Sequence, residues 1–331
     1  MIELISVPSL LTVQDAGRTG YRRLGVPVSG FMDGFSARIA NYLVGNPGDA
    51  PLLEFLLAGP KIKFNASVVF AVAGDVEVKL NGVPIEAWRS YWAKRGDILE
   101  VGTLRSGLYG YIALAGGIKC ERLLGSCSAY PRADLGRPLK TGDRLSVGYA
   151  LLTGREGRFL PPKLRPNYSR DKVEVRVVLG PDLDHFTEKG IETFLNSAYT
   201  ITPESDRMGY RLDGPSVEHS EKGADIVTGP LISGSVQVPA NGKPIVMMKD
   251  AQTTGGYAKI ATVISADLSR LAQSRPGTKV QFKEVTPNEA LKELKRREKT
   301  LEAIKDFLDG KLRAYSVRAL GREFLTFAGK V

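Results

Sequence analysis

Val76-Glu77-Val78-Lys79-Leu80-Asn81-Gly82 alternates apolar and charged side chains and then reaches Asn-Gly. In an extended chain that alternation puts Val76, Val78 and Leu80 on one face. Asn-Gly is the dipeptide that a two-residue hairpin prefers, because both residues tolerate positive φ. The same grammar continues outward. Short alternating runs stand at 2–7, 61–64, 68–72, 98–101, 110–114 and 144–147. Between them lie Arg95-Gly96-Asp97, Gly116-Gly117 and Thr141-Gly142-Asp143. Evenly spaced short strands separated by turn residues predict an antiparallel sandwich or barrel rather than a doubly wound parallel sheet. One helix interrupts this half over 36–43, with Asp33 placed to cap it and Gly45-Asn46-Pro47 to stop it.

The second half repeats the order. Residues 151–172 read as a linker, with Pro161-Pro162, Pro166 and many charges. A strand at 173–179, a helix near 184–195, further strands, a helix at 266–273 and a closing strand at 278–285 follow. The turn and strand at Arg275-Pro276-Gly277-Thr278-Lys279-Val280 echo Lys94-Arg95-Gly96-Asp97-Ile98-Leu99, which points to two related β domains, 1–150 and 173–285. Past 285 the period changes. Thr286-Pro287-Asn288-Glu289 is a capping box with proline at the first helical position. Leu291, Leu294, Leu301, Ile304, Phe307 and Leu308 recur near helical spacing, and Gly310 can end the helix. A C-terminal helical extension over 286–331 is expected.

Composition narrows the function. A chain of 331 residues can bury roughly 75% of its unfolded surface, so it needs no disulfide or metal staple. Cys120 and Cys127, with no histidine nearby, form neither a secreted disulfide framework nor a zinc site, and packing near a turn is expected for them. With two histidines, most hydrolase triads and metal sites drop out. Met1-Ile2-Glu3-Leu4-Ile5 does not open a signal peptide, and no apolar run approaches a bilayer span, so a cytoplasmic protein without a membrane partner is expected. The net charge of +10 is scattered, and its densest run, 292–299, alternates sign along a helix. Nucleic acid is not the expected partner. An acidic partner protein or an anionic substrate suits the charge better.

Two constellations carry the polar groups that chemistry needs. The first is Gln14-Asp15-Ala16-Gly17-Arg18 with Gly25-Val26-Pro27-Val28-Ser29-Gly30-Phe31-Met32-Asp33 and Asn41. Asp15 and Asp33 could orient a donor or act as general base, and Arg18 could clamp a carboxylate; equally, Asp33 could only cap the helix and Asp15 and Arg18 only brace a turn. The second is Gln237-Val238-Pro239 with Asp250-Ala251-Gln252-Thr253-Thr254-Gly255-Gly256-Tyr257. It offers a carboxylate, amides, hydroxyls and two glycine N–H groups, the inventory that an amide or carboxylate ligand requires. Arg207 and Arg211 would lie on one side of a strand, to bind an anionic group or pair with carboxylates such as Asp225. Gly125-Ser126-Cys127-Ser128 could donate N–H or hydroxyl bonds, but no general base stands beside it. His185 and His219 are isolated. The glycine-rich stretches are not phosphate loops, since no Gly-Lys-Ser/Thr follows them.

Together with Ala40-Asn41, Gly45-Asn46, Arg207 to Leu212, Ala224-Asp225-Ile226-Val227 and Lys259-Ile260-Ala261, these phrases resemble the biotin-dependent carboxyltransferase family over about 1–285. Its members include the C component of prokaryotic 5-oxoprolinase and the carboxyltransferase domain of urea amidolyase, once called allophanate hydrolase subunit 2. The resemblance implies a mostly β chain of two cyclophilin-like β-barrel domains. It implies a cyclophilin-like partner subunit, similar to the B component of 5-oxoprolinase, and a third subunit, opening 5-oxoproline to glutamate with ATP bound by the complex. In urea carboxylase relatives the module moves a carboxyl group from carboxybiotin to urea, so biotin belongs to that reading only. A related member counteracts a kinase inhibitor, which gives a regulatory alternative. Thr228-Gly229, Ala258 and Cys127 depart from the family's usual residues. Met248-Lys249, the one Met-Lys pair, lies within the second constellation and not in a separate biotin carrier, so the 5-oxoprolinase reading is preferred. On it, Asp250, Asp15 and Asp33 are the candidate catalytic carboxylates. Arg18, Asn41, Arg207, Arg211, Gln237, Gln252, Thr253, Thr254, Gly255, Gly256 and Tyr257 are the candidate substrate-binding residues, and no metal is expected.

Overall fold

The computed structural model describes residues 1–151, 154–168, 171–319 and 322–329. Strands dominate it, as the alternation predicts. The chain divides into two compact units, each discontinuous in sequence. The first holds Met1–Ala16, Gly34–Asn167 and Arg296–Val331; the second holds Gly17–Asp33 and Tyr168–Lys295. The segment Gly17–Asp33 therefore groups with the later strands, although it precedes most of the first unit in sequence.

The first unit carries β1 (Ile2–Ser6), β2 (Leu11–Gln14), β3 (Leu52–Leu56), β4 (Lys61–Phe64), β5 (Val68–Leu80), β6 (Val83–Ile85), β7 (Ser90–Ala93), β8 (Ile98–Leu114) and β9 (Arg144–Leu145). Along one path they run β2-β3-β8-β4-β1-β9, and β5 pairs with β6, β7 and β8. Asn81 and Gly82 turn the β5–β6 hairpin with φ of 53° and 78°, the double left-handed conformation their identities predict. The separate runs at 68–72 and 76–80 form one strand, as do those at 98–101 and 110–114. What looked like gaps are register shifts between Ala73 and Val78, where β5 bends against β8 without breaking. Inside, Leu4, Leu11, Phe55, Phe64, Phe70 and Ile112 are buried, each contributing about 1.5–3 kcal/mol. The helix α1 (Gly34–Leu43) packs Ile39, Ala40 and Leu43 toward β5 and β8.

The second unit carries β10 (Lys172–Leu179), α2 (Glu188–Asn196), β11 (Ala198–Ile201), β12 (Gly209–Asp213), β13 (Asp225–Pro230), β14 (Ser235–Gln237), β15 (Ile245–Met247), β16 (Thr254–Tyr257), β17 (Lys259–Val263), α3 (Leu268–Ala272) and β18 (Lys279–Glu284). Seven of these strands close a barrel in the order β10-β17-β14-β15-β12-β11-β18, sealed by the parallel pair β18–β10. Closure leaves no bare edge in the barrel. Phe194 of α2 stacks on Phe282 of β18 at 4.4 Å inside it. Among the described residues the strands β13 and β16 pair only with each other, as a two-stranded arm.

The helix α4 (Pro287–Leu308) starts where the capping box places it. Thr286 N donates to Glu289 Oε2 at 2.8 Å, and Glu289 N donates to Thr286 Oγ1 at 3.3 Å. The extension is not helical to its end. β19 (Leu312–Ala319) and β20 (Arg322–Gly329) pair as a hairpin, in keeping with the alternation of Tyr315, Val317 and Ala319 with Ser316 and Arg318. No helix among the described residues is long and apolar enough to cross a membrane.

Candidate functional site

In the second unit, the loop after β15 is anchored through Arg207. The Arg207 Nε donates to Asp250 Oδ2 at 2.8 Å and Nη2 to Oδ1 at 3.1 Å. Nη2 also donates to Gly30 O at 2.8 Å, and Asp250 N donates to Arg207 O at 2.8 Å. Both side chains are buried. A two-pronged guanidinium–carboxylate contact fixes orientation as well as distance. Arg207 and Arg211 do not share a face, contrary to the expectation from the sequence. Arg207 lies before β12 begins and turns inward, while Arg211 sits on β12 and is exposed.

The Gly17–Asp33 segment is folded onto the same loop. Ser29 N donates to Lys249 O at 3.0 Å, and Arg18 N donates to Val28 O at 2.8 Å. Ser29 has φ of 55°, a conformation that a non-glycine residue holds only when its surroundings impose it, and its buried hydroxyl has no hydrogen-bond partner among the described residues. A Cβ on Gly17 would lie 2.5 Å from Val28 O, so only glycine fits that approach. The Asp33 carboxylate, fully buried, accepts from Tyr168 Oη and, at 3.0 Å, from Gln273 Nε2.

The arm and the turn that leads into it carry the remaining residues of the second constellation. Thr253 is buried, and its carbonyl accepts from Leu231 N at 2.8 Å; Gln252, Thr254 and Tyr257 are exposed. Gly229 of β13 stands directly opposite Gly255 of β16. Under Gly255 lies Gln237, whose Nε2 donates to Tyr257 O at 3.2 Å. Carbonyls, an amide and the N–H groups of a glycine-rich strand thus meet along one edge, a set able to hold a planar carbonyl–nitrogen group.

The first unit holds Gln14, Asp15 and Asn41. Asp15 is enclosed by the loop at 125–128, which has no general base beside it in sequence. Its carboxylate accepts from Ser126 Oγ at 2.5 Å, Cys127 N at 2.8 Å and Ser128 Oγ at 2.7 Å. Cys120 and Cys127 are paired as a disulfide with Cα atoms 5.8 Å apart, which corrects the expectation of two separate packed thiols. Leu124 and Gly125, both at positive φ, fold the loop back so that its two ends meet. Gln14 Nε2 donates to Ala129 O at 3.2 Å. Asn41 Nδ2 donates to Ala50 O at 2.9 Å and to Gly48 O at 3.3 Å, bracing the turn after α1.

Sequence reasoning passed over Lys259 and Asp182. Lys259 is buried, its Nζ 3.1 Å from Asp182 Oδ2. A signal was present: Lys259 is in step with Ala261 and Val263, the apolar alternates of the same strand.

The family described as carboxyltransferase domain, subdomain A and B, matches residues 24–284. The C component of the 5-oxoprolinase of Haemophilus influenzae is 36% identical over 94% of this chain and 100% of that protein. The urea amidolyase of Lachancea kluyveri is 34% identical over 94% of this chain, which spans 18% of that protein. The crystal structure of the K. lactis urea amidolyase superposes with a TM-score of 0.86 at 32% identity, over 92% of this chain and 20% of that one.

Proposed function

The chain belongs to the carboxyltransferase domain family, subdomains A and B, and from that membership we propose that it is one subunit of an ATP-dependent 5-oxoprolinase, opening the lactam of 5-oxoproline to glutamate. The observation that carries the reading is the alignment with the Haemophilus 5-oxoprolinase C component, which runs the whole length of that protein. The chemistry of the second unit agrees with it. A lactam presents one carbonyl oxygen and one N–H in a plane, and Gln237 with the strand β16 (Thr254–Tyr257) offers donors and acceptors along one edge. Asp250 acts as a positioning residue on this reading. Both of its oxygens are engaged by Arg207, and the pair fixes the loop that leads into the arm.

The partners are a cyclophilin-like subunit and a third subunit, in a cytoplasmic complex. ATP is bound by the assembled complex. The likeness to the urea amidolyase structure favours a second reading, carboxyl transfer from carboxybiotin to urea.

The test is reconstitution. The chain is purified with its partner subunits, and ATP-dependent release of glutamate from 5-oxoproline is measured beside carboxybiotin-dependent carboxylation of urea. Glutamate release is the expected result. Carboxylated urea without glutamate would replace this reading with the second, and a stable complex inactive in both assays would leave a regulatory role.

A further inference from the structure

Lys259 opens β17 two residues after the arm strand ends, and its register partner on the neighbouring strand β14 is Gln237. Directly opposed residues on antiparallel strands project to the same face, so ammonium and amide stand side by side. Asp182 holds the lysine at both ends: its Oδ2 accepts the backbone N–H of Lys259 at 2.9 Å and lies 3.1 Å from Nζ. The Lys259 side chain is 8% exposed. An ammonium has three donors, and among the described residues Asp182 supplies the acceptor for one. Placing such a group in a barrel wall is costly unless its donors are answered.

Over this pair the arm presents its facing glycines, Gly229 and Gly255. A Cβ on Gly229 would lie 3.5 Å from Lys259 Nζ, and one on Gly255 would lie 2.7 Å from Gln237 Nε2. Neither glycine has a positive φ, so backbone freedom does not explain its identity. The missing Cβ atoms do: side chains at these positions would press on the ammonium and the amide. The arginines first considered for an anion are placed otherwise. Arg207 is bound to Asp250 and Gly30, and Arg211 points to solvent from β12.

We propose that Lys259 receives the carboxylate of the substrate beneath the facing glycines Gly229 and Gly255, while Gln237 beside it recognises the adjoining amide. The ligand class is a small molecule with a carboxylate next to a carbonyl–nitrogen group, and Asp182 positions the ammonium. The proposal rests on the reading of the site given above. 5-Oxoproline has this pattern, and so does a carboxylated urea.

Binding separates the proposal from that reading. The assembled complex is titrated calorimetrically with 5-oxoproline and with oxamate, which both carry a carboxylate beside an amide, and with 2-pyrrolidinone, the lactam without the carboxylate. Lys259→Met is expected to weaken 5-oxoproline and oxamate roughly 10- to 100-fold, the loss of one charge-assisted contact, and to leave 2-pyrrolidinone unchanged. Lys259→Arg should recover part of the loss. Gly229→Val, which lays methyl groups over Nζ, should weaken the same two ligands and keeps the test alive if the lysine variant does not fold. Carboxylate binding unchanged in both variants, or all three ligands weakened alike, would overturn the proposal. Lysine-dependent oxamate binding in a complex that releases no glutamate would uphold Lys259 and reject the 5-oxoprolinase reading. Glutamate release that is indifferent to Lys259→Met would do the reverse.

Discussion

Arg207 and Asp250 meet through two parallel contacts, Nε to Oδ2 at 2.8 Å and Nη2 to Oδ1 at 3.1 Å, with both side chains almost wholly buried. Removing one partner strands a charge in the interior, which costs about 3–5 kcal/mol, whereas replacing both by apolar groups of similar size is far milder. Asp250→Asn should therefore lower stability by about 3 kcal/mol or more in urea unfolding. The double variant Arg207→Met with Asp250→Leu should regain much of that loss. If Asp250 only positions the loop, glutamate release should recover in part with stability. A stable double variant with no residual turnover would instead give Asp250 a direct role in the reaction.

Asp15 makes the parallel case in the first unit. Three donors from one loop, Ser126 Oγ, Cys127 N and Ser128 Oγ, converge on its carboxylate. Arg122 lies 3.7 Å away but is more than half exposed and adds little. Asp15→Ala leaves buried donors unanswered and should cost about 3 kcal/mol; Ser126→Ala removes one donor and should cost about 1 kcal/mol. Guanidinium denaturation midpoints compare the two. Equal, negligible losses would mean that the loop is held by other contacts.

Local signals were the readable ones. Asn81-Gly82 and Thr286 to Glu289 act within a few residues, and both produced the turn and the helix start that their chemistry demands. Where local patterns conflicted with pairing, pairing won. The gaps inside β5 and β8 are bulges absorbed by continuous ladders, and the capping box acts only on the start of α4, leaving the chain beyond Gly310 to pair as a hairpin. The site residues were visible as residue types, since glycines, amides and carboxylates cluster in the sequence. Their partners were not. Arg207 and Asp250 are 43 positions apart, Asp182 and Lys259 are 77 apart, and no periodicity encodes contacts of that range. For the same reason nothing in Gly17 to Asp33 announced that this segment groups with strands beyond residue 168.

Tyr199 predicts an alkaline limb. It is fully buried in the second unit, and burial pushes its hydroxyl up to about 12, against about 10 in an unfolded chain. Between those values the unfolded state loses a proton that the folded state keeps. The stabilisation is thus complete below about pH 10 and is lost as pH rises toward about 12. Tyr199→Phe removes the ionising group. Its melting temperature should fall less than that of the parent between about pH 9.5 and about pH 11.5, within about one Tyr titration. Identical alkaline slopes would show that Tyr199 titrates as an ordinary tyrosine.

Neighbouring glycines of the arm should answer alanine differently. A Cβ on Gly255 would lie 2.7 Å from both Gln237 Nε2 and Leu231 Cδ1, and Leu231 is fully buried. Either the arm lifts or the Gln237 amide turns away, and both outcomes disturb the edge assigned to the substrate. On Gly256 the nearest atoms, Ile226 O and Thr228 Oγ1, are 3.7 Å away, an ordinary contact. Gly255→Ala should lose about 1–3 kcal/mol of stability through overpacking and at least about tenfold in kcat/KM, since small displacements at a site are magnified in rate. Gly256→Ala should stay within about 0.5 kcal/mol of the parent. Both positions have backbone angles that alanine can adopt, so the contrast isolates the space beneath the arm from the conformation of the arm itself. Two equally active variants would mean that the Gln237 edge is not where the substrate lies.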